Sequence, residues 1–336
     1  MPVLDGRAPE SVATAARALA AGRLVAFATE TVYGLGARAD DDEAVAGIFA
    51  AKGRPADHPL IVHVADAAGA EAFAAELSLL ARRLMAAFWP GPLTLIVPRR
   101  PGVAQAAAGG QPTIGLRCPS HPVARALLQA AATEGVPGLA APSANRFGRI
   151  SPTRADHVAR EFGEELLVLD GGACDVGIES AIVDVSRGRA VLLRPGALAR
   201  ERIAAAAGEP VLDADAAAPR AAGTLASHYA PSATLRLMPP AALRAALEVL
   251  PLEGLPLEGL PRGSAPRLAV YSRSVAVPDR LPQRRMPDDA AAAAQQLFAT
   301  LRELDDLSVS LIWVEEPPAD AAWEGVRDRL RRAAAS

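Results

Sequence analysis

The 336-residue chain contains one lysine, one asparagine and two cysteines, and each shortage excludes something. Of its 35 basic residues 34 are arginine and only Lys52 is lysine, while Asn145 is the single asparagine. A composition this rich in Ala, Arg, Gly and Pro points to a biased genome that replaced Lys and Asn wherever replacement was harmless. Lys52, in Lys52-Gly53-Arg54-Pro55, and Asn145, in Pro142-Ser143-Ala144-Asn145, then mark places where replacement failed. A lysine ammonium is a compact charge with three rotatable donors, and a tight site built for it rejects the planar, forked Arg. Phosphate oxygens are a usual partner. The plainer reading, a cation that closes a helix and complements its dipole, would be served equally by Arg.

Cys118 and Cys174 are far apart and form no CxxC pair, which excludes a zinc ribbon and a disulfide framework and fits a reducing cytosol. Aromatics make up 4% of the chain while 51% is hydrophobic, much of it Ala, so tight helix packing is expected. No apolar run reaches the roughly 18 residues of a membrane span. Met1-Pro2-Val3-Leu4-Asp5 lacks the basic start and apolar core of a signal peptide, so a soluble cytoplasmic protein is expected. A net charge of −3 argues against broad nonspecific nucleic-acid binding, and the scattered Arg pairs read as solvated faces. Neither GxxxxGK[ST] nor GxGxxG occurs, so both common nucleotide cradles are missing. HExxH and Gly-x-Ser-x-Gly are missing too, as is any metal-ligand spacing of His or Cys.

What is present is an alternation of helix and strand signals over the first two-thirds. Ser11–Ala21, Asp41–Lys52, Leu77–Phe88 and His121–Thr133 read as helices, the first two stopped by Gly22 and Gly53. Leu24–Phe27, Leu60–Val64, Leu93–Val97, Thr113–Arg117, Leu139–Ala141, Leu166–Leu169, Ala181–Val185 and Ala190–Leu193 read as strands, and Thr29–Gly36 as a polar loop. Strands with helices between only some of them predict an α/β domain on a mixed sheet. From Gly208 the signal dissolves into Ala, Asp, Glu and Pro, which reads as a linker. Beyond it, strands at 235–237, 268–271 and 308–313 with helices at 241–249, 289–304 and 321–332 suggest a small Rossmann-like, three-layer domain. The domain boundaries are set at 1–207, 208–231 and 232–336. The Leu-Glu-Gly-Leu-Pro pair at 252–256 and 257–261 is a loop duplication.

Polar residues cluster at strand ends of the first domain: Thr29, Thr31, Lys52, Arg54, His58, His63, Arg117, Ser143, Asn145, Ser151, Ser180 and Arg194. Such a ring suits an anionic ligand held by several charges and hydroxyls. Singly, each has a duller account: Ser143 and Asn145 shape a turn, His63 is a core histidine, Arg117 a surface ion pair. Jointly, around the sole Lys and sole Asn, they point to a site.

These segments resemble the YrdC-like family of L-threonylcarbamoyladenylate synthases, in its longer, two-domain branch. The resemblance runs over Thr29-Glu30-Thr31-Val32-Tyr33-Gly34-Leu35, Lys52-Gly53-Arg54-Pro55, His58-Pro59-Leu60-Ile61-Val62-His63 and Trp89-Pro90-Gly91-Pro92-Leu93-Thr94. It continues through Leu116-Arg117-Cys118-Pro119, Pro142-Ser143-Ala144-Asn145, Leu193-Arg194-Pro195-Gly196 and Ser227-His228-Tyr229-Ala230-Pro231. The family signature, KxR plus SxN, falls on the only Lys and the only Asn. Departures are Ala28 for the usual Pro, Glu30 for the usual Asp, Ala181 for a common Thr, and Gly223–Ser227 where a basic, aromatic stretch is frequent.

The resemblance implies a twisted mixed sheet around a concave, positive cavity. It implies condensation of L-threonine, bicarbonate and ATP, with Mg²⁺, to threonylcarbamoyl-AMP and pyrophosphate, and hand-over to the machinery that modifies tRNA. Thr31, His63, Arg117, Ser180 and the backbone of Ala141 would face threonine. Lys52, Arg54, His58, Thr113, Ser143, Asn145, Ser151, Arg194 and Tyr229 would face ATP, with Lys52, Arg54, Ser143 and Asn145 carrying the catalysis. The metal ligands stay open, and the linker with Tyr229 is expected to act as a lid. Two alternatives stand beside this reading: a carbamoyl-AMP-forming domain of a hydrogenase-maturation carbamoyltransferase, and a noncatalytic RNA- or ribosome-binding module. The first normally brings zinc-finger cysteines, and the second would want aromatic platforms.

Overall fold

A computed structural model describes residues 3–250 and 268–335, so the Leu-Glu-Gly-Leu-Pro pair lies outside the described residues. The chain divides into two compact units, Met1–Phe147 with Ser151–Thr224, and Gly148–Ile150 with Leu225–Ser336. The stretch read as a linker is therefore shared. Its residues up to Thr224 go with the first unit, and those from Leu225 with the second.

The first unit runs β1 Val3–Asp5, α1 Pro9–Ala20, β2 Val25–Phe27, β3 Gly34–Arg38, α2 Asp42–Lys52, β4 Ile61–His63, α3 Leu79–Phe88, β5 Leu93–Pro98 and β6 Thr113–Arg117. It continues with α4 Pro122–Thr133, β7 Leu139–Ala140, α5 Ala155–Phe162, β8 Leu167–Asp170, β9 Ala181–Asp184, β10 Val191–Arg194, α6 Arg200–Ala207 and β11 Leu212–Asp213. Helix ends follow local chemistry. Asp41 Oδ1 accepts the Glu43 and Ala44 amides at 2.9 and 3.1 Å, and Gly53 closes α2 with a φ of 65°. Ser78 caps α3 and His121 caps α4 in the same manner.

Among the described residues these strands form one 11-stranded sheet in the order β1-β8-β2-β3-β7-β4-β6-β5-β9-β10-β11. It is mixed: β4–β6 and β5–β9 are parallel, β2–β3 and β5–β6 antiparallel. Successive strand residues point to opposite faces. Val62, Leu95, Ile114, Leu116, Ala181 and Val183 look into the main core, against Val45 and Ile48 of α2, Leu84 of α3, Val158 of α5 and Ile203 of α6. The opposite face is divided. Its β8-β2-β7 half is packed by α1 and α4 through Leu19, Leu127, Phe27 and Leu169. Its β4-β6-β5-β9 half has only a small apolar patch, Ile61, Ile96 and Ile182, on which Ala221 and Ala222 rest. By the same alternation His63, Thr94, Thr113, Arg117 and Ser180 belong to that half. The polar residues thus share one sheet face that no helix buries among the described residues.

Part of this departs from the sequence expectation. The polar loop read over Thr29–Gly36 ends early, because Gly34–Arg38 is a strand inside the sheet, pairing with β2 and β7. Its glycines hid it: neither has β propensity, yet a Cβ at Gly36 would stand 2.9 Å from the Phe27 ring. Strands β1 and β11 and helices α5 and α6, all short, were not anticipated.

In the second unit, β12 Thr234–Met238, α7 Pro240–Glu248, β13 Leu268–Ser272, β14 Gln283–Arg285, α8 Ala290–Asp306, β15 Leu311–Glu315 and α9 Glu324–Ala334 build an all-parallel sheet in the order β12-β15-β13-β14. Leu243 and Leu247 of α7 cover one face, with Leu268 and Val270. β14 was missed from sequence, and the last strand begins at Leu311 because Ser308 turns with a φ of 55°. At the strand ends, buried Glu315 accepts the amides of Arg273, Ser274 and Val275 at 2.7, 2.8 and 3.1 Å. This turn is an anion-binding nest filled by the protein's own carboxylate.

Candidate active site

The turn after β2 is built by Thr29, whose Oγ1 accepts the Thr31 and Val32 amides at 3.2 Å and donates to the Val32 carbonyl at 2.6 Å. This turn holds Thr31 Oγ1 2.9 Å from Arg117, at the end of β6. Arg117 also donates to Glu30 Oε1 at 2.6 Å and to the Gly91 carbonyl at 3.4 Å. The other oxygen of Glu30 accepts the Ser120 amide at 3.1 Å. Arg117 is therefore not a surface ion pair: its side chain is 5% exposed and that of Glu30 6%. Burial alone would raise the Glu30 carboxyl, but the Arg117 charge and the hydrogen bonds outweigh it and hold it below the usual range. His63 stands beside Arg117 in the β4–β6 register. Burial, reinforced by the Arg117 charge, pushes its imidazole down to about 3, so it is neutral at physiological pH.

Two strands away, Ser180 Oγ lies 2.8 Å from Thr94 Oγ1. Arg194, at the end of β10, donates to the Ser180 carbonyl at 2.9 Å and to its hydroxyl at 3.3 Å. The preceding residue, Glu179, accepts the Ser151 hydroxyl at 2.5 Å.

A second cluster surrounds the end of α2. Lys52 is fully enclosed, and its Nζ donates to the Ser143 carbonyl at 2.6 Å and to the Asn145 carbonyl. The lone lysine thus meets the loop that carries the lone asparagine. Desolvation, then the Arg54 charge, lowers the ammonium well below its ordinary value. Arg54 donates to the Pro59 carbonyl at 3.0 Å and lies 5.6 Å from the Phe147 ring centroid, and His58 packs 5.5 Å from the same ring. The loop is tied to the sheet by a bridge between Ser143 and Gly34 and by the Ala144 amide on the Tyr33 carbonyl. The Ala141 amide is engaged by the Ile61 carbonyl at 2.9 Å.

Thr31, His63, Arg117, Ser180 and Arg194 are brought to one end of the sheet face. Lys52, Ser143 and Asn145 gather at the end of α2, with Arg54 and His58 beside them on Phe147. Thr113 shares the face but starts β6, about 13 Å from Arg117 at the strand rise of 3.3 Å per residue. Tyr229 belongs to the second unit, buried with a φ of 67°. There it packs on His228 and Phe298, with Arg329 5.5 Å from its ring centroid. Sequence reasoning missed three partners. Glu30 was noted only as a departure, Thr94 only as motif, and Phe147 not at all, although its closeness to Asn145 could have flagged it.

The first unit and its continuation match two family models in succession. One, for Sua5, YciO and YrdC proteins and described as "Telomere recombination", covers residues 17–196, and one described as "Threonylcarbamoyl-AMP synthase, C-terminal domain" covers residues 197–335. The chain belongs to the threonylcarbamoyl-AMP synthase family. It is 37% identical over 320 residues to the threonylcarbamoyl-AMP synthase of Pyrococcus abyssi, spanning 93% of this chain and 90% of that one. It is 36% identical over 329 residues to the Bacillus subtilis synthase, spanning 96% and 92%. The crystal structure of P. abyssi Sua5 complexed with L-threonine superposes with a TM-score of 0.85 at 34% identity, covering 97% of this chain and 95% of that one. No described helix is long and apolar enough to cross a membrane.

Proposed function

We propose that the protein condenses L-threonine, bicarbonate and ATP into L-threonylcarbamoyladenylate and pyrophosphate. The observation that carries this is the match over almost the whole chain to a Sua5 structure complexed with L-threonine, with Arg117, Thr31, His63 and Ser180 at one sheet face that no described helix buries. The threonine amine and bicarbonate give a carbamate and water. A carbamate oxygen then attacks the α-phosphorus, and pyrophosphate leaves. Two anions must meet, so positioning and charge neutralisation supply most of the rate. Arg117 takes the threonine carboxylate, Thr31, His63, Ser180 and Ala141 shape its pocket, and Lys52, Arg54, His58, Asn145, Ser143, Ser151, Thr113 and Arg194 receive the nucleotide. Among the described residues no group of three or more His, Cys, Asp or Glu could hold an ion. Mg²⁺ would come with ATP, bound through its phosphates, and would neutralise part of their charge. The product passes, in the cytoplasm, to enzymes that transfer the threonylcarbamoyl group to tRNA.

Radiolabelled threonine with ATP should yield labelled adenylate and pyrophosphate only when bicarbonate is present. A chain that shifts RNA on a gel but releases no pyrophosphate would overturn the reading.

The segment after β11 forms a strap within the first unit. Arg220 reaches Asp57 at 3.0 Å and the Gly109 carbonyl at 3.2 Å, its backbone pairs with Gln111, and Arg194 holds the Ala222 carbonyl at 3.0 Å. The strap lies over the polar face and lifts for substrates to enter. Elastase, which cuts after small residues, should cleave 214–224 more slowly with ATP and threonine bound, and Arg220→Ala should weaken that protection. Equal cleavage with and without ligands excludes closure.

A further inference from the structure

The polar cluster around Arg117 contains a charge that binding the threonine carboxylate does not need. The guanidinium, the candidate partner of the threonine carboxylate, is already paired with Glu30 at 2.6 Å. Glu30 is itself fixed from behind by the Ser120 amide, so this carboxylate is built in rather than swung in from solvent. Arg117 uses one donor on Glu30, one on Thr31 and one on the Gly91 carbonyl. A guanidinium has five N–H donors, so two remain for a ligand. The other side chains that this end of the face offers to a small ligand are Thr31, His63, Thr94 and Ser180, uncharged at neutral pH, and Arg194, whose guanidinium is engaged by the Ser180 carbonyl and hydroxyl and by the Ala222 carbonyl. Arg117 therefore presents donors to an incoming carboxylate while its net charge is offset within van der Waals reach.

The geometry points to Glu30 as the residue that makes this pocket select an amino acid over a plain carboxylate of the same shape. A zwitterion brings its own ammonium, which the Glu30 charge attracts while Arg117 holds the carboxylate. A carboxylate without the amine meets the same two donors but feels the repulsion of Glu30 uncompensated. In a dry site such a charge acts strongly over a few ångströms. Discrimination of this kind comes from a repulsive element as much as from an attractive one. Glu30 also protects the chemistry, because only a ligand with an amine can form the carbamate that attacks ATP. It is a specificity-determining residue, acting through Arg117 and through charge.

This inference rests on the reading that Arg117 faces the threonine carboxylate, and the experiment separates the two. L-Threonine and (R)-3-hydroxybutyrate, which is threonine without its amine, are titrated calorimetrically into the full-length wild type, Glu30→Gln, Glu30→Asp and Arg117→Ala. The wild type should bind threonine far better than hydroxybutyrate. Glu30→Gln keeps the shape and removes the charge, so the ratio of the two affinities should fall at least tenfold, with hydroxybutyrate gaining. Glu30→Asp keeps the charge and should keep most of the ratio even where both affinities weaken. A ratio unchanged in Glu30→Gln, with Arg117→Ala having lost both ligands, overturns the role of Glu30 while the Arg117 assignment stands. If Arg117→Ala leaves threonine binding intact, the assignment itself fails. Should Glu30→Gln not fold, Glu30→Asp decides: a retained ratio supports the charge, and a lost one refutes it.

Discussion

Replacing Lys52 by Arg should cost at least about tenfold in pyrophosphate release, equal to about 1.4 kcal/mol of transition-state stabilisation, although the charge is kept. The reason is space. Nζ sits in an enclosed pocket between two backbone carbonyls, those of Ser143 and Asn145. A longer, planar guanidinium cannot make the same two bonds without pushing the Ser143–Asn145 loop away from α2, and overpacking of this kind costs about 1–3 kcal/mol in stability. Both effects should appear together, as slower turnover and a lower Tm. Lys52→Met separates them: it fits the space without the ammonium, and the Ser143 carbonyl keeps the Asn145 amide, so it should lose activity more than stability. Near-wild-type turnover in Lys52→Arg would remove the weight placed on the single lysine.

Arg117→Ala should be the most damaging single change for threonine use and for folding. It removes the partner of a carboxylate that is almost fully enclosed, and breaking a buried ion pair from one side costs about 3–5 kcal/mol. The pH dependence should separate the two proteins. In the wild type Glu30 titrates below the ordinary carboxylate range, so its contribution is complete above that range and is lost as pH falls through the folded value. Neutral, buried His63 acts in the same direction, because the unfolded chain takes up its proton below about 6.5. In Arg117→Ala, burial without the guanidinium raises Glu30 instead, and the sign reverses: that carboxyl then favours folding as pH falls. Measured against the wild type, the Tm deficit of Arg117→Ala should therefore shrink on acidification from about pH 7 to about pH 5. A deficit that stays constant would mean that Glu30 is solvated, contrary to its enclosure. The double change Arg117→Met with Glu30→Gln should recover stability and still fail to bind threonine.

Much of the site was legible because it is written in scarce residues and short motifs. Lys52 and Asn145 stood out by rarity, and the structure brings Lys52 onto the backbone of the loop that carries Asn145. Asp41 and Gly53 bounded α2 by local capping and turn chemistry that needs no tertiary context. Strands β5 and β6 showed themselves through β-branched and apolar residues.

Other features depended on neighbours distant in sequence. Gly34–Arg38 became a strand because β2 and β7 supply its hydrogen bonds, which its two glycines do not advertise. Nothing near Glu30 in sequence says that its carboxylate is neutralised by a guanidinium 87 residues away. Tyr229 reads as a lid residue from its motif neighbours, while its packing on Phe298 and beneath Arg329 comes from residues far along the chain. Composition, helix stops and short motifs thus determined most of the elements and nominated the chemistry, because those depend on residues a few positions apart. Pairing, burial and the state of each charge were decided by the tertiary structure, because an electrostatic environment is set by whatever folds to within a few ångströms.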